Sequence, residues 1–222
     1  MNLDVLDEQG FALVPGFIDR ETSIALRDLY SDDERFRSRI VMERHRFGRG
    51  EYKYFRDPLP PPIDALRERL YDAVLPTARA WSDRLRLGAT FPPTLGEFLE
   101  RCHAQQQRRP TPLLLKYGPG DYNCLHQDLY GPVAFPLQAT VYLSRPGEEF
   151  GGGQVVLTEQ RPRSQTRPYA LGPAQGDLLV LPTNAVPRAG KNGSYRAVFK
   201  HGVSTVEWGE RFTLGIIFHD AL

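Results

Sequence analysis

Residues 113–128 read LLLKYGPGDYNCLHQD: an apolar run, a Gly118-Pro119-Gly120 turn, a second extended segment, and His126-Gln127-Asp128 at its end. Short apolar runs bounded by Gly and Pro are strand signatures. In extended backbone residues i and i+2 face the same side, so His126 and Asp128 share one face. The same grammar continues toward the C-terminus. Val133–Leu143, Gln154–Thr158, Asp177–Leu181, Arg196–Val206 and Phe212–Phe218 are apolar, β-branched or aromatic. They are separated by Pro146-Gly147, Gly151-Gly152-Gly153, Gly172-Pro173, Gly190-Lys191-Asn192-Gly193 and Trp208-Gly209. Strands punctuated in this way over about 110 residues predict a jelly roll or sandwich in place of βαβ units.

Toward the N-terminus the period changes. A strand over Phe11–Val14 and a Pro15-Gly16 turn lead to a helix starting near Asp19, with Ile24, Leu26 and Leu29 expected inside. The prolines of 58–62 break the chain. After them Ile63, Leu66, Leu70, Val74 and Leu75, three or four residues apart, predict one amphipathic helix over 63–86, kinked at Pro76. A further helix is expected over Thr94–Gln107, where Thr94 and Glu97 form a capping box. The reading is a single α+β domain over 1–222: residues 1–111 a mainly helical support layer with a basic segment, residues 112–222 a β core.

Composition narrows the class. The 222 residues are 25% charged and 41% hydrophobic, as in soluble globular proteins. No segment reaches the about 18 to 20 consecutive apolar residues of a membrane helix, and the acidic start Met1-Asn2-Leu3-Asp4 lacks a signal-peptide pattern, so a cytoplasmic protein with no membrane partner is expected. Two cysteines, Cys102 and Cys124, without CxxC spacing argue against a disulfide framework or a zinc knuckle. The net charge of +1 conceals an asymmetry. Residues 35–56 carry eight basic residues (Arg35, Arg37, Arg39, Arg44, Arg46, Arg49, Lys53, Arg56) against Glu43 and Glu51, a local charge of +6 that leaves −5 for the rest. Phe47, Tyr52, Tyr54 and Phe55 are interleaved with them. Such a segment is either a solvated surface with its aromatics inside or a polyanion-binding patch able to stack on bases.

Five histidines are present. One imidazole and one carboxylate on a shared face could hold a metal, and a second histidine from a distant strand would complete a facial two-His, one-carboxylate set, which holds Fe(II) and leaves positions open. His201 in Phe199-Lys200-His201-Gly202-Val203 is the candidate. A His-x-Asp pair alone is weak, since about 0.3 would arise by chance at background usage. Its surroundings strengthen it. Arg211 follows His201 by ten residues after a Trp208-Gly209 turn, so a hairpin would return its guanidinium, a bidentate carboxylate receptor, beside the ligand strand. Thr213 faces the same side as Arg211, and Tyr117 could point a phenol into the same cavity. Cys124 should share the face of His126 and either line the cavity or be open to oxidation. His45 and His103 are not expected to be ligands, and adjacent His219-Asp220 face opposite sides, which suits a structural role.

On Tyr117, His126, Asp128, His201 and Arg211, in this order and spacing, the chain resembles the Fe(II)- and 2-oxoglutarate-dependent dioxygenases of the prolyl 4-hydroxylase type. Gly151-Gly152-Gly153, Gly176-Asp177-Leu178-Leu179-Val180 and Gly10–Phe17 also match. A closer similarity, in His126-Gln127-Asp128-Leu129-Tyr130-Gly131 and His201-Gly202-Val203-Ser204, is to a bacterial family labelled as oxygenases acting on alkylated nucleic acid. The resemblance implies a double-stranded β-helix (jelly-roll) core and an oxidoreductase using Fe(II), 2-oxoglutarate and O2 to hydroxylate a C–H bond with release of succinate and CO2. It also implies His126, Asp128 and His201 as metal ligands and Arg211, Tyr117 and Thr213 around 2-oxoglutarate. The better-known alkylation-repair dioxygenases carry a second arginine where this chain has Ile217, so their mode of substrate binding is not implied. For substrate, Arg44, Arg46, Arg49, Lys53 and Tyr54, with Arg188 in the 183–195 loop, favour nucleic acid and oxidative dealkylation in DNA repair. A protein (prolyl-type) or small-molecule hydroxylase and a non-catalytic jelly-roll binding protein are the alternatives.

Overall fold

Leu178–Pro182 and Arg211–Ile217 are buried at every position. Strands without an exposed face belong at the centre of a sheet covered on both sides, and these two lie in a sheet with helices behind it and a second sheet in front. The computed structural model describes residues 3–191 and 193–222; the Met1-Asn2 start and Asn192 of the expected 190–193 turn lie outside the described residues. The described residues form four α-helices: α1 (Val5–Gln9), α2 (Arg20–Asp28), α3 (Pro61–Leu85) and α4 (Leu95–Ala104). The strands are β1 (Ala12–Val14), β2 (Phe36–Val41), β3 (Gly48–Arg49), β4 (Glu51–Phe55), β5 (Leu113–Tyr117), β6 (Tyr122–His126), β7 (Leu137–Tyr142) and β8 (Phe150–Gly152). They continue with β9 (Val155–Gln160), β10 (Arg167–Leu171), β11 (Leu178–Pro182), β12 (Ala185–Gly190), β13 (Gly193–Val203), β14 (Val206–Gly209) and β15 (Arg211–Ile217).

The major sheet runs β1-β11-β7-β15-β5-β4-β2; the minor sheet runs β10-β9-β13-β6-β3 with β12 paired to β13, and β14 and β8 form a separate pair. This is the α+β jelly-roll architecture. Period-two alternation divides each central strand between two environments. Leu137, Ala139 and Val141 of β7 and Phe212, Leu214 and Ile216 of β15 join the apolar core, as do Ile63, Leu70, Tyr71, Val74, Ala78 and Trp81 of α3. The intervening Gln138, Thr140, Tyr142, Arg211, Thr213 and Ile217 line a cavity between the sheets. Buried Arg67 of α3 donates to the carbonyl oxygens of Ile217 and Phe218 and pairs with Asp220 at 2.8 Å, fixing the helix to the end of β15. Asp220 also lies 3.0 Å from His103 Nε2, which gives it the structural role expected of the His219-Asp220 pair.

Local signals explain the element ends. Asp19 accepts from Thr22 N at 2.7 Å, and Thr94 Oγ1 from Glu97 N at 3.3 Å. In α2, Ser23 and Leu26 are buried while Ile24 is only half-buried, because Ile24 and Leu26 stand two residues apart and cannot share a helix face; Leu29, just beyond the helix, is also half-buried. Two expectations are corrected. The 196–206 segment is two strands, since the chain leaves β13 at Val203 to form β14. The basic segment is not part of a helical layer: β4 and then β2 extend the major sheet and β3 the minor one, and charged side chains suit β2 and β3 because each is an edge strand with one side left unpaired and solvated. No helix of the described residues is long and apolar enough to cross a membrane.

Candidate active site

β6 delivers His126 at its last residue, and antiparallel β13 places His201 directly opposite it, with ring centroids 4.2 Å apart. Asp128, two residues beyond the strand, turns back between them: Oδ2 lies 3.2 Å from His201 Nε2 and Oδ1 3.6 Å from His126 Nε2. One potential ligand atom from each residue falls within 4.8 Å of the others, a donor set suited to a divalent transition metal with open positions. His126 Nδ1 donates to the Cys124 carbonyl at 2.8 Å, which leaves Nε2 free as a ligand. Burial opposes ionisation of Asp128, but the imidazoles of His201 and His126 and the Tyr130 hydroxyl hold its carboxyl well below the usual range. Burial, reinforced by neighbouring His201, pushes the His126 pKa down. Anionic carboxylate and neutral imidazole are the metal-binding forms. Gln127, between two of these residues, donates to Phe199 O at 2.8 Å and Asn184 Oδ1 at 2.9 Å, tying the end of β6 to the strand that carries His201.

The cavity of about 340 Å³ holds a second polar cluster. Arg211 stands opposite Tyr117 in the β15–β5 register, its guanidinium 5.4 Å from the Tyr117 ring and 5.5 Å from the Tyr142 ring. It is 3% exposed, and Nη1 has no hydrogen-bond partner among the described residues. Burial depresses its pKa, yet a guanidinium keeps its proton. A buried cation facing two aromatic rings is uncompensated without an anion, so this end of the cavity fits a ligand carboxylate. Thr213, also 3% exposed, follows on the same face, and Tyr117 Oη accepts from Asn123 Nδ2 at 3.3 Å. Within the triple glycine, Gly153 has φ +61°, and a Cβ there would stand 2.9 Å from Arg211 Cδ. Glycine thus lets the loop lie against the arginine stem.

The expected hairpin between His201 and Arg211 does not form. The two residues lie on opposite sheets and meet across the cavity; the chain crosses over after His201 because β14 pairs with β8 and not with β15. His126, Asp128, His201, Arg211, Tyr117 and Thr213 all line that one cavity, as do Tyr54 and exposed Cys124. Arg46 stands at its rim beside Phe47, which is 48% exposed. Arg44 is exposed nearby in sequence, whereas Arg49 faces a separate groove with Arg39, Glu43, Lys116 and Asp121. The structure does not bring Lys53 and Arg188 to the cavity. Lys53 is buried against Asp33 at 2.6 Å and the Tyr30 carbonyl. Arg188 pairs with buried Glu159 at 2.7 Å, and its guanidinium donates to the Glu8 and Gln9 carbonyl oxygens at the end of α1. Sequence reading missed Gln138, Thr140 and Tyr142. The alternation of polar with apolar residues in Leu137–Tyr142 carries that signal, since the polar set of a buried strand must face something other than core.

A family model, Oxygenase-NA, described as "Oxygenase, catalysing oxidative methylation of damaged DNA", matches residues 50–221. An uncharacterized protein of Mycobacterium tuberculosis is 44% identical over 164 residues, 74% of this chain and 70% of that protein. Among solved structures, a Pseudomonas putida prolyl-4-hydroxylase superposes with a TM-score of 0.52 at 17% identity, covering 96% of this chain and 93% of that one. A 2OG-Fe(II) oxygenase family oxidoreductase from Burkholderia pseudomallei gives 0.50 at 16% identity, over 98% and 90%. These structures share the fold.

Proposed function

The chain belongs to the Oxygenase-NA family, and from that premise we propose that it is an Fe(II)- and 2-oxoglutarate-dependent dioxygenase that oxidises a C–H bond of alkylated nucleic acid. One observation carries the cofactor reading: His126, Asp128 and His201, with their ligand atoms close together, and buried Arg211, with its unpartnered Nη1, line the same cavity. His126, Asp128 and His201 would hold the metal, and Arg211, with Thr213 and Tyr117, the distal carboxylate of 2-oxoglutarate. When bound, these groups supply the activation of O2, with succinate and CO2 as the cosubstrate's products. The protein's own contribution is positional. Gln127 and the Cys124 carbonyl fix the first imidazole and its loop, and the low pKa of Asp128 keeps it anionic through the physiological range. Tyr117 and Tyr142 shield Arg211 from water and strengthen its attraction for a carboxylate. The nucleic-acid part of the reading rests on the family description and on Arg46 and Phe47 at the cavity rim, a cation beside an exposed ring able to meet a phosphate and stack on a base.

Mixing the purified protein anaerobically with Fe(II) and 2-oxoglutarate should give the visible charge-transfer band of the chelate, and His126→Ala should abolish it. No band in the wild type, or its survival in the variant, would remove the enzyme reading in favour of a non-catalytic jelly-roll protein.

A further inference from the structure

We propose that Tyr130 is a positioning residue of the metal centre: its hydroxyl occupies one oxygen of Asp128, so that the carboxylate offers only the other to the cation. This rests on the assignment of His126, Asp128 and His201 as ligands. Tyr130 Oη donates to Asp128 Oδ1 at 2.7 Å, while Oδ2 faces His201 Nε2 at 3.2 Å. The direction of that hydrogen bond is set from behind. Tyr54 Oη donates to Tyr130 Oη at 3.3 Å, which leaves the Tyr130 proton for the carboxylate. Tyr54 is itself held in place: β4 pairs it with Leu113, the Arg37 guanidinium lies 4.5 Å from its ring centroid, and Arg37 Nε donates to Pro110 O at 3.0 Å.

The chain of contacts therefore runs from the basic-aromatic segment through two phenols to a ligand carboxylate. It matters because a carboxylate can bind a metal through one oxygen or both. Binding through both would take one of the positions that a chelating keto acid and O2 require. A phenol donating to Oδ1 makes that oxygen a poorer ligand and fixes the rotation of the group, which turns Oδ2 toward His201 Nε2 and leaves Oδ1, 3.6 Å from His126 Nε2, engaged by the phenol. Phenylalanine at 130 would fill the same space against the His219 ring, 5.8 Å away, without the donor.

Titration of the full-length, metal-free protein with Co(II) alone, followed by visible absorption, separates the possibilities. Tyr130→Phe is expected to bind Co(II) about 10- to 100-fold more weakly, with a cobalt band altered in intensity and position by the changed coordination. Tyr54→Phe should move the band in the same direction by less. Equal affinity and an identical band in Tyr130→Phe would overturn the proposal while leaving the ligand assignment intact. Absence of Co(II) binding by the wild type, or undiminished binding by His126→Ala, would instead defeat the ligand assignment. Should Tyr130→Phe fail to fold, Tyr54→Phe decides: an affinity and band unchanged from the wild type count against the proposal.

Discussion

Arg211 is only as well aimed as the backbone beside it permits. At Gly153 a side chain meets two costs: the left-handed φ of +61°, about 1–2 kcal/mol for an L-residue, and a Cβ 2.9 Å from Arg211 Cδ and from Val206 Cγ2. Gly147 supplies the comparison, with φ +80° and nothing within 4 Å of its Cβ. Gly153→Ala is expected to raise the Kd for 2-oxoglutarate by about tenfold, equivalent to about 1.4 kcal/mol, whereas Gly147→Ala should lower stability by a similar backbone strain and leave that Kd unchanged. Calorimetric titration of the Mn(II)-loaded variants would measure both; equal Kd values in the two would show that contact with the arginine stem is immaterial. At this scale His126, Asp128, His201 and Arg211 were legible because few side chains bind metals or carboxylates and their order along the chain is distinctive. Gln138 was not, since a polar residue on a strand reads as solvent-facing until the second sheet is known to cover it, nor was Tyr130, whose contacts with Asp128 and Tyr54 depend on how the segment after β6 turns back.

The limits of that legibility are clearest in the elements that position basic residues. Arg188 lies in a hairpin, where sequence predicts a solvated charge, but β12 lies under the end of α1 and beside Glu159 of β9. Its buried guanidinium thus satisfies the Glu8 and Gln9 carbonyl oxygens and the fully buried Glu159 carboxylate. None of these partners is within 25 residues of it, so no local pattern could announce the cluster. Arg188→Ala should cost about 3 kcal/mol in urea unfolding, the lower end of the range for breaking a buried pair, because Arg161 and Tyr169 still reach Glu159. Burial works against the Glu159 carboxylate, but hydrogen bonds from Arg161, Arg188 and Tyr169 outweigh it and hold its pKa below the ordinary 4.5. A carboxylate depressed in the folded state contributes stability above its unfolded value and loses it as pH falls from about 4.5 toward the folded value. The wild type should therefore show an acid limb that begins near pH 4.5, and Arg188→Ala should flatten it. An unfolding free energy equally steep in acid for both proteins would assign that limb to other carboxylates.

Over the whole molecule, the local charge of +6 in residues 35–56 is not one binding surface. Folding engages much of it internally: Arg35 with Asp32, Arg39 with Glu51, Lys53 with Asp33, and Arg37 against Tyr54. The jelly roll was readable from strand punctuation, and the 39 glycines and prolines mark its turns. Which arginines remain free was not readable, because it depends on edge-strand pairing between segments remote in sequence. Exposed Arg46 lies at the cavity rim, Arg44 two residues earlier, and Arg49 toward another groove. If the substrate is nucleic acid, its backbone should contact the first two, each phosphate contact adding about 0.7 to the slope of log K against log salt for single strands. Binding of an alkylated single-stranded oligonucleotide should then weaken steeply with salt. Arg44→Gln and Arg46→Gln should each reduce that slope by somewhat under one, Arg49→Gln should have a smaller effect, and the chelate band should be unchanged in all three. A slope near zero, or one indifferent to Arg44 and Arg46, would mean that the rim does not track a phosphate backbone. With the oxygenase chemistry untouched by that result, the cavity would then be read as that of a protein or small-molecule hydroxylase.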